Sequence, residues 1–153
     1  MKNLFENWKK FINEAVNISC SGVVLYNDPK NNQVEMLKQK ALEKVPELKE
    51  GYVFKTKAGE ELPHHMTINM GPLKMAGYKV GDEIELKVVS FGVSKDAVAA
   101  EVKPPFPIDT KSRPHITIAI PVGGQPFNSN KIQDWKECEP ITIKGVVQEV
   151  PQK

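Results

Sequence analysis

The sequence has few cysteines, little net charge and no long apolar run, and each of these features argues against a class of protein. Cys20 and Cys138 are the two cysteines in 153 residues; they are too few for a disulfide scaffold, and neither lies in a zinc-type C-x-x-C spacing. The formal net charge of +2 gives no whole-chain preference for a polyanion. Because no apolar run approaches the length of a membrane span and the N-terminus lacks a signal-peptide core, we expect a cytoplasmic protein with no membrane partner.

What is present fits one globular domain over residues 1–153. The chain is 40% hydrophobic and 26% charged, which is ordinary for such a domain. Apolar residues at helical spacing predict an amphipathic helix over residues 4–16. A β-rich run at residues 21–26 predicts a strand. Asn31 or Asn32 can cap a second helix, which Pro46 ends.

The second half of the chain is richer in strand signals. Apolar and charged residues alternate over 84–88, and the chain turns back into a strand at residues 97–102. A short helix that is capped by Ser129 or Asn130 and runs through Ile132 and Trp135 is expected before a closing strand at residues 141–150. This mixture of strands and helices argues against a pure sandwich or barrel.

One motif occurs twice, and each copy has the alternation of a strand. A proline is followed by His65-x-Thr67 in the first copy and, 50 residues later, by His115-x-Thr117 in the second. Alternate side chains of a strand face opposite ways, so each strand presents one histidine and one threonine on one face. Asn69 would follow on that face and line the same pocket.

The same alternation predicts which motif residues are buried. These are Met66, Ile68 and Met70 in the first strand, and Ile116, Ile118 and Ile120 in the second. His64, the third histidine of the chain, is expected to point away from His65. A zinc site built on the three histidines is disfavoured, because neighbouring residues of a strand cannot both face one ion and no acidic residue flanks them at ligand spacing.

Paired imidazoles and hydroxyls suit displacement at phosphorus. One neutral imidazole can activate water as a base, and one imidazolium can protonate the leaving oxygen. The two threonine hydroxyls can hold the non-bridging oxygens without adding charge. No metal or cofactor is needed for this chemistry.

The segments His65-Met66-Thr67-Ile68 and His115-Ile116-Thr117-Ile118 resemble the two H-x-T-x motifs of the two-histidine (2H) phosphoesterase superfamily. That superfamily includes RNA 2′,3′-cyclic phosphodiesterases, RNA-repair enzymes and phage enzymes that destroy cyclic nucleotide immune signals. The resemblance implies an α+β, bilobal fold in which two antiparallel sheets meet at a central groove with helices packed outside. It implies catalytic roles for His65, Thr67, His115 and Thr117.

Further residues are candidates for contact with the substrate. Two tyrosines could stack a base, an arginine beside the second motif could reach a phosphate, and the glycine-rich segment after that motif could contact a ligand. With the asparagine of the first motif strand, the candidates are Tyr26, Tyr52, Asn69, Arg113, Asn128 and Ser129.

The function expected from these features is metal-independent hydrolysis of a nucleotide phosphodiester, with no obligatory protein partner. The substrate is either an RNA end that carries a 2′,3′-cyclic phosphate or a cyclic nucleotide or oligonucleotide signal, as in viral anti-defence enzymes. The absence of a basic stripe favours the smaller ligand. The alternative outside the enzymes is a nucleotide- or RNA-binding module that does not turn its ligand over.

Overall fold

The structure, a computed structural model, describes residues 18–57, 59–110 and 113–151. The helix expected over residues 4–16 lies outside them. In the described part no helix is long and apolar enough to cross a membrane. The elements are β1 (Ile18–Leu25), β2 (Asn27–Asp28), β3 (Asn31–Asn32), α1 (Gln33–Lys44), a 3₁₀ helix (Pro46–Lys49), β4 (His65–Met70), β5 (Glu83–Val93), β6 (Val98–Lys103), β7 (His115–Ala119), a second 3₁₀ helix (Pro126–Lys131) and β8 (Asp134–Pro151).

Six strands form one closed antiparallel barrel in the order β1-β4-β7-β6-β5-β8, with β8 returning to β1. The expected bilobal α+β fold with two sheets is therefore wrong, as is the argument against a barrel. Closure has two causes. The motif strands β4 and β7 pair directly, and β8 is 18 residues long, so it pairs with β5 along its first part and with β1 along its last part. A closed barrel leaves no unpaired strand edge.

The one α-helix of the described residues, α1, confirms the local sequence signals. The Asn32 side chain caps it by accepting a hydrogen bond from the backbone N–H of Glu35 at 2.9 Å. The helix ends at Lys44, two residues before Pro46. Its buried residues, Val34, Leu37 and Ala41, belong to the same apolar cluster as the buried residues of the barrel strands.

The short helix expected after the second motif is different in kind and position. The chain forms a 3₁₀ helix over Pro126–Lys131 that begins with a proline. Trp135, expected on that helix, lies on strand β8 opposite Gly92. Its ring leaves no room for a side chain there, because a Cβ on Gly92 would lie 2.6 Å from the ring.

Strand β4 contains a β-bulge three residues after its histidine. Gly22 of β1 lies opposite Thr67, but the next residue of β1, Ser21, lies opposite Asn69. Ile68 is the extra residue. One inserted residue moves every later side chain of the strand to the other face.

Strand β7 has a bulge at the matching place. Ala99 of β6 lies opposite Thr117, whereas Val98 lies opposite Ala119, so Ile118 is the extra residue. The two motif strands and their outer neighbours, β1 and β6, are thus related by an approximate twofold arrangement. The barrel gives the two His-x-Thr motifs equivalent strand pairings.

The bulge overturns the predicted alternation at the end of β4. Asn69 is completely buried, and Met70 is 68% exposed. The Asn69 amide donates to the carbonyls of Met70 and Pro72, both at 2.9 Å, and accepts from the backbone N–H of Lys74 at 3.1 Å. Asn69 therefore organises the loop that follows β4, whereas its expected position was on the motif face.

This reversal is testable by comparing two neighbouring alanine variants. We expect Asn69→Ala to lower the free energy of unfolding by about 1–3 kcal/mol, because the loop loses the hydrogen bonds that the buried amide provides. Met70→Ala should change it by less than about 0.5 kcal/mol, because the side chain is exposed. Urea unfolding measures both, and the opposite ranking would contradict the bulge.

Candidate functional site

The two motifs meet across the pairing of β4 with β7. Met66 lies opposite Ile116, and in an antiparallel ladder the flanking residues are also opposite each other. His65 therefore lies opposite Thr117. Thr67 is set against His115. We call these four residues the His–Thr square, in which the two histidines occupy one diagonal and the two threonines the other.

All four members of the His–Thr square line one cavity of about 850 Å³. This volume lies in the range of roughly 300–1,000 Å³ that is typical of small-molecule sites. Apart from histidines, its charged lining residues in the described part of the chain are Lys57, Glu60 and Asp109. The described lining of the cavity thus carries both signs of charge.

His115 has a defined tautomer. Its Nδ1 lies 2.7 Å from the backbone carbonyl oxygen of Arg113, and because a carbonyl can only accept, Nδ1 donates. Nε2 is then the nitrogen that can accept a proton, or give one when the ring is charged. Burial lowers the pKa of His115, and the hydrogen bond to the Arg113 carbonyl opposes that shift.

His65 has a different environment. Its Nδ1 lies 2.8 Å from Nδ1 of His64, and its Nε2 lies 3.5 Å from the Cys20 sulfur. Burial, followed by the neighbouring His64 and His115, lowers the pKa of His65 to about 4. The ring also packs against β1 at Gly22, where a Cβ would lie 3.0 Å from the imidazole Cδ2. His65 is therefore a neutral imidazole at neutral pH.

The threonine hydroxyls are held by different partners. The hydroxyl of Thr117 lies 2.8 Å from the hydroxyl of Ser129 and 3.3 Å from the carbonyl oxygen of Pro126. The Thr67 side chain forms a hydrogen bond with Cys20. Burial raises the pKa of Cys20, and this hydrogen bond opposes the shift only in part. Cys20 is accordingly a thiol, not an activated nucleophile.

Two expected contact residues, Ser129 and Arg113, have protein partners. Ser129 is 1% exposed and reaches the cavity only through Thr117. The Arg113 guanidinium lies 3.0 Å from the carboxylate of Glu101 and 5.2 Å from the centre of the Trp135 ring. Arg113, Glu101 and Trp135 are all absent from the cavity lining.

The structure does not place the remaining candidates at the cavity. The hydroxyl of Tyr26 donates to the Glu83 carboxylate at 2.7 Å, and that of Tyr52 donates to the Ser94 carbonyl. Asn69 holds the loop after β4, as described above. Asn128 is also absent from the cavity lining, whereas its neighbour Asn130 is part of it.

The cavity lining also includes residues that the sequence patterns did not place there, among them Cys20, Glu60, His64 and Asp109. The alternation rule does not apply to His64, because β4 begins one residue later. Asp109 follows the proline-rich stretch after β6, and its N–H donates to the Ile68 carbonyl at the bulge, at 2.8 Å. No local sequence pattern signals that contact.

Glu60 is brought to the histidines by a tight turn. The backbone N–H of Thr56 donates to the Glu60 carbonyl at 2.9 Å, and the Thr56 hydroxyl accepts from the Glu60 N–H at 3.1 Å. Ligand-type atoms of Glu60, His64 and His65 all lie within 4.8 Å of one another. The expectation that no carboxylate stands at ligand distance from the histidines is therefore wrong.

No protein-family model, curated protein or solved structure matches this chain. The resemblance to the 2H phosphoesterases consequently rests on the two short motifs alone.

The lowered pKa of His65 predicts how stability varies with pH. An unfolded histidine has a pKa near 6.5, against about 4 in the fold. Between these values the unfolded chain binds more protons, so the free energy of unfolding falls as the pH falls from 6.5 to 4. In buffer with EDTA, His65→Gln should make this dependence shallower, as measured by urea unfolding at a series of pH values.

Thr67→Val is the control for this measurement, because it alters the same strand face and keeps the histidine. Its dependence on pH should match that of the unaltered protein. Identical slopes for His65→Gln and Thr67→Val would show that His65 is not neutral in the fold.

Proposed function

We propose that the protein is a metal-independent phosphodiesterase that hydrolyses a nucleotide phosphodiester, with His65 and His115 as the paired proton-transfer groups. The observation that carries this proposal is the His–Thr square on the wall of a nucleotide-sized cavity. The motif resemblance to the 2H phosphoesterases agrees with it. The barrel does not share the bilobal fold of that superfamily, so the proposal depends on the site and not on the fold.

The surroundings of the two histidines suggest different roles for them. His65, whose pKa is about 4, is the general base that takes a proton from the attacking water. Burial lowers the pKa of His115, but the Arg113 carbonyl opposes that shift by favouring the charged ring, so we assign His115 as the general acid. The water oxygen bonds to phosphorus, the bond to the leaving oxygen breaks, and Nε2 of His115 gives its proton to that oxygen. Proton exchange with solvent then restores both rings.

The threonines stabilise charge on the phosphoryl oxygens. Either hydroxyl of the Thr117–Ser129 pair can be the donor. When Ser129 donates to Thr117, the Thr117 proton points to the Pro126 carbonyl at 3.3 Å, and it can turn from there to a non-bridging oxygen of the substrate. Thr67 occupies the other corner of the diagonal and can donate to a second oxygen. Ser129 is therefore a positioning residue for Thr117.

The charges of the cavity favour a small substrate. Long RNA is held mainly by cationic side chains along its backbone, whereas Lys57 shares this cavity with Glu60 and Asp109. We therefore propose a cyclic nucleotide or a cyclic oligonucleotide as the substrate class. We also propose a reducing, cytoplasmic setting, because Cys20 and Cys138 are both free thiols in the structure.

The direct test is hydrolysis in the presence of EDTA. The substrate panel contains 2′,3′-cyclic mononucleotides, cyclic dinucleotides and an oligoribonucleotide with a 2′,3′-cyclic phosphate end. We expect turnover, with kcat lowered by about 10²–10⁴-fold in His65→Ala and in His115→Ala, because each variant loses one proton-transfer group. Tyr26→Phe is the matched control and should keep the unaltered kcat, because Tyr26 does not line the cavity.

Three outcomes of the panel have distinct meanings. Turnover of the oligoribonucleotide alone would move the substrate class to RNA ends. Tight binding without turnover would identify a nucleotide-binding module. Full activity in the double variant His65→Ala, His115→Ala would overturn the catalytic roles.

The assignment of base and acid predicts the pH profile. Activity requires His65 neutral and His115 charged. In EDTA, kcat/KM should rise with pH through about 4 and fall as the pH passes the lowered pKa of His115, which lies below 6.5. Activity at pH 5 should exceed that at pH 8, and an optimum at pH 8 would contradict the assignment.

A further inference from the structure

We propose that Glu60, His64 and His65 form a binding site for a divalent transition-metal cation of the zinc class. The site lies on the wall of the cavity beside the His–Thr square. Binding does not rest on the proposed phosphodiesterase activity, although one consequence drawn below does.

The distances between donor atoms suit an ion. The donor atoms of the three residues lie within 4.8 Å of one another, and Nδ1 of His64 is 2.8 Å from Nδ1 of His65. Around a tetrahedral zinc with bonds of about 2.0–2.1 Å, two nitrogens stand about 3.3 Å apart. A separation of the two rings by about 0.5 Å therefore admits the metal.

Hydrogen bonds fix the backbone at His64 and at Glu60. The N–H of Leu25 in β1 donates to the carbonyl of His64 at 2.9 Å, which fixes the residue immediately before β4. The two imidazole rings stand edge to face, at 87° with centroids 5.0 Å apart. Glu60 is fixed by its two hydrogen bonds to Thr56. The two histidines thus lie at the beginning of β4, and Glu60 lies in the turn that its hydrogen bonds to Thr56 close.

Two neutral imidazoles and one carboxylate are the donor set of many zinc sites that keep an open position. Two nitrogens at 2.8 Å cannot both carry hydrogen, so one lone pair already faces the site. The other ring supplies its lone pair by moving its hydrogen from Nδ1 to Nε2, which changes the tautomer and leaves the ring neutral. The remaining coordination position opens to the cavity.

Metal binding would alter what His65 can do. With the ion on Nδ1, the ring hydrogen of His65 lies on Nε2, and the ring has no lone pair left to accept a proton. If the proposed function is correct, a bound metal therefore inhibits the phosphodiesterase, and EDTA restores its activity.

Binding is tested on the metal-free protein without substrate. Competition against a chromogenic chelator gives the Zn²⁺ affinity, and Co²⁺ absorption reports the coordination number. We expect one equivalent to bind, with intense tetrahedral Co²⁺ bands. Glu60→Gln and His64→Gln should each raise the Kd by at least about tenfold, because even the loss of a residue that only supports a ligand weakens binding by about 10–100-fold.

Two controls are drawn from the same cavity. Asp109→Asn removes a carboxylate and His115→Gln removes an imidazole, and both should bind Zn²⁺ as the unaltered protein does. Circular dichroism confirms that each variant folds. In addition, electron paramagnetic resonance of bound Cu²⁺ should show two imidazole nitrogens in the unaltered protein and one in His64→Gln.

The absence of stoichiometric binding, or an equal loss of affinity in the two controls, would overturn the metal site. Binding by a protein that hydrolyses none of the substrates would support the metal site and reject the phosphodiesterase. Hydrolysis by a protein that binds no metal would support the phosphodiesterase and reject the metal site.

Discussion

The antiparallel pairing of β4 with β7 is the contact on which the rest of the structure depends. It closes the barrel, and it sets each histidine of one motif against the threonine of the other. Its register is held by Met66 and Ile116, which lie opposite each other and are completely buried. A slip of either strand by one residue would carry its own motif to the apolar face and expose its buried apolar side chain. The burial that stabilises the barrel thus also assembles the site.

The bulges at Ile68 and Ile118 shape the region just beyond the His–Thr square. Each bulge interrupts the side-chain alternation three residues after its histidine. The residues that follow the bulge therefore face the opposite side of the sheet from the side that the alternation predicts. At the bulge in β4, the Ile68 carbonyl accepts a hydrogen bond from the N–H of Asp109. This hydrogen bond brings Asp109 to the cavity. Asn69, now buried, holds the following loop. Bulges beside a cavity are a common means of redirecting side chains at functional sites.

The approximate twofold arrangement of the motifs does not extend to the electrostatics of the histidines. His115 has its Nδ1 against a backbone carbonyl, which supports a charged ring. His65 has its Nδ1 against a second imidazole, which opposes one. Burial lowers the pKa of both rings, and the neighbours then act in opposite directions, because His64 adds to the shift in His65 and the Arg113 carbonyl opposes it in His115. This contrast between the two neighbours is what distinguishes a base from an acid in our proposal.

The sequence by itself determined the features that depend on neighbouring residues. These are the helix that begins after a cap at Asn31 or Asn32, the two motif strands, and the shared face of each His-x-Thr pair, because caps and side-chain alternation are local properties of the chain. Only the tertiary structure decided that the sheet closes into a barrel, that Met70 is exposed, and that Glu60 reaches His64. Each of these depends on a pairing between distant segments, since a bulge or a closed ladder is defined by the register with the partner strand and leaves no periodic mark on either strand alone.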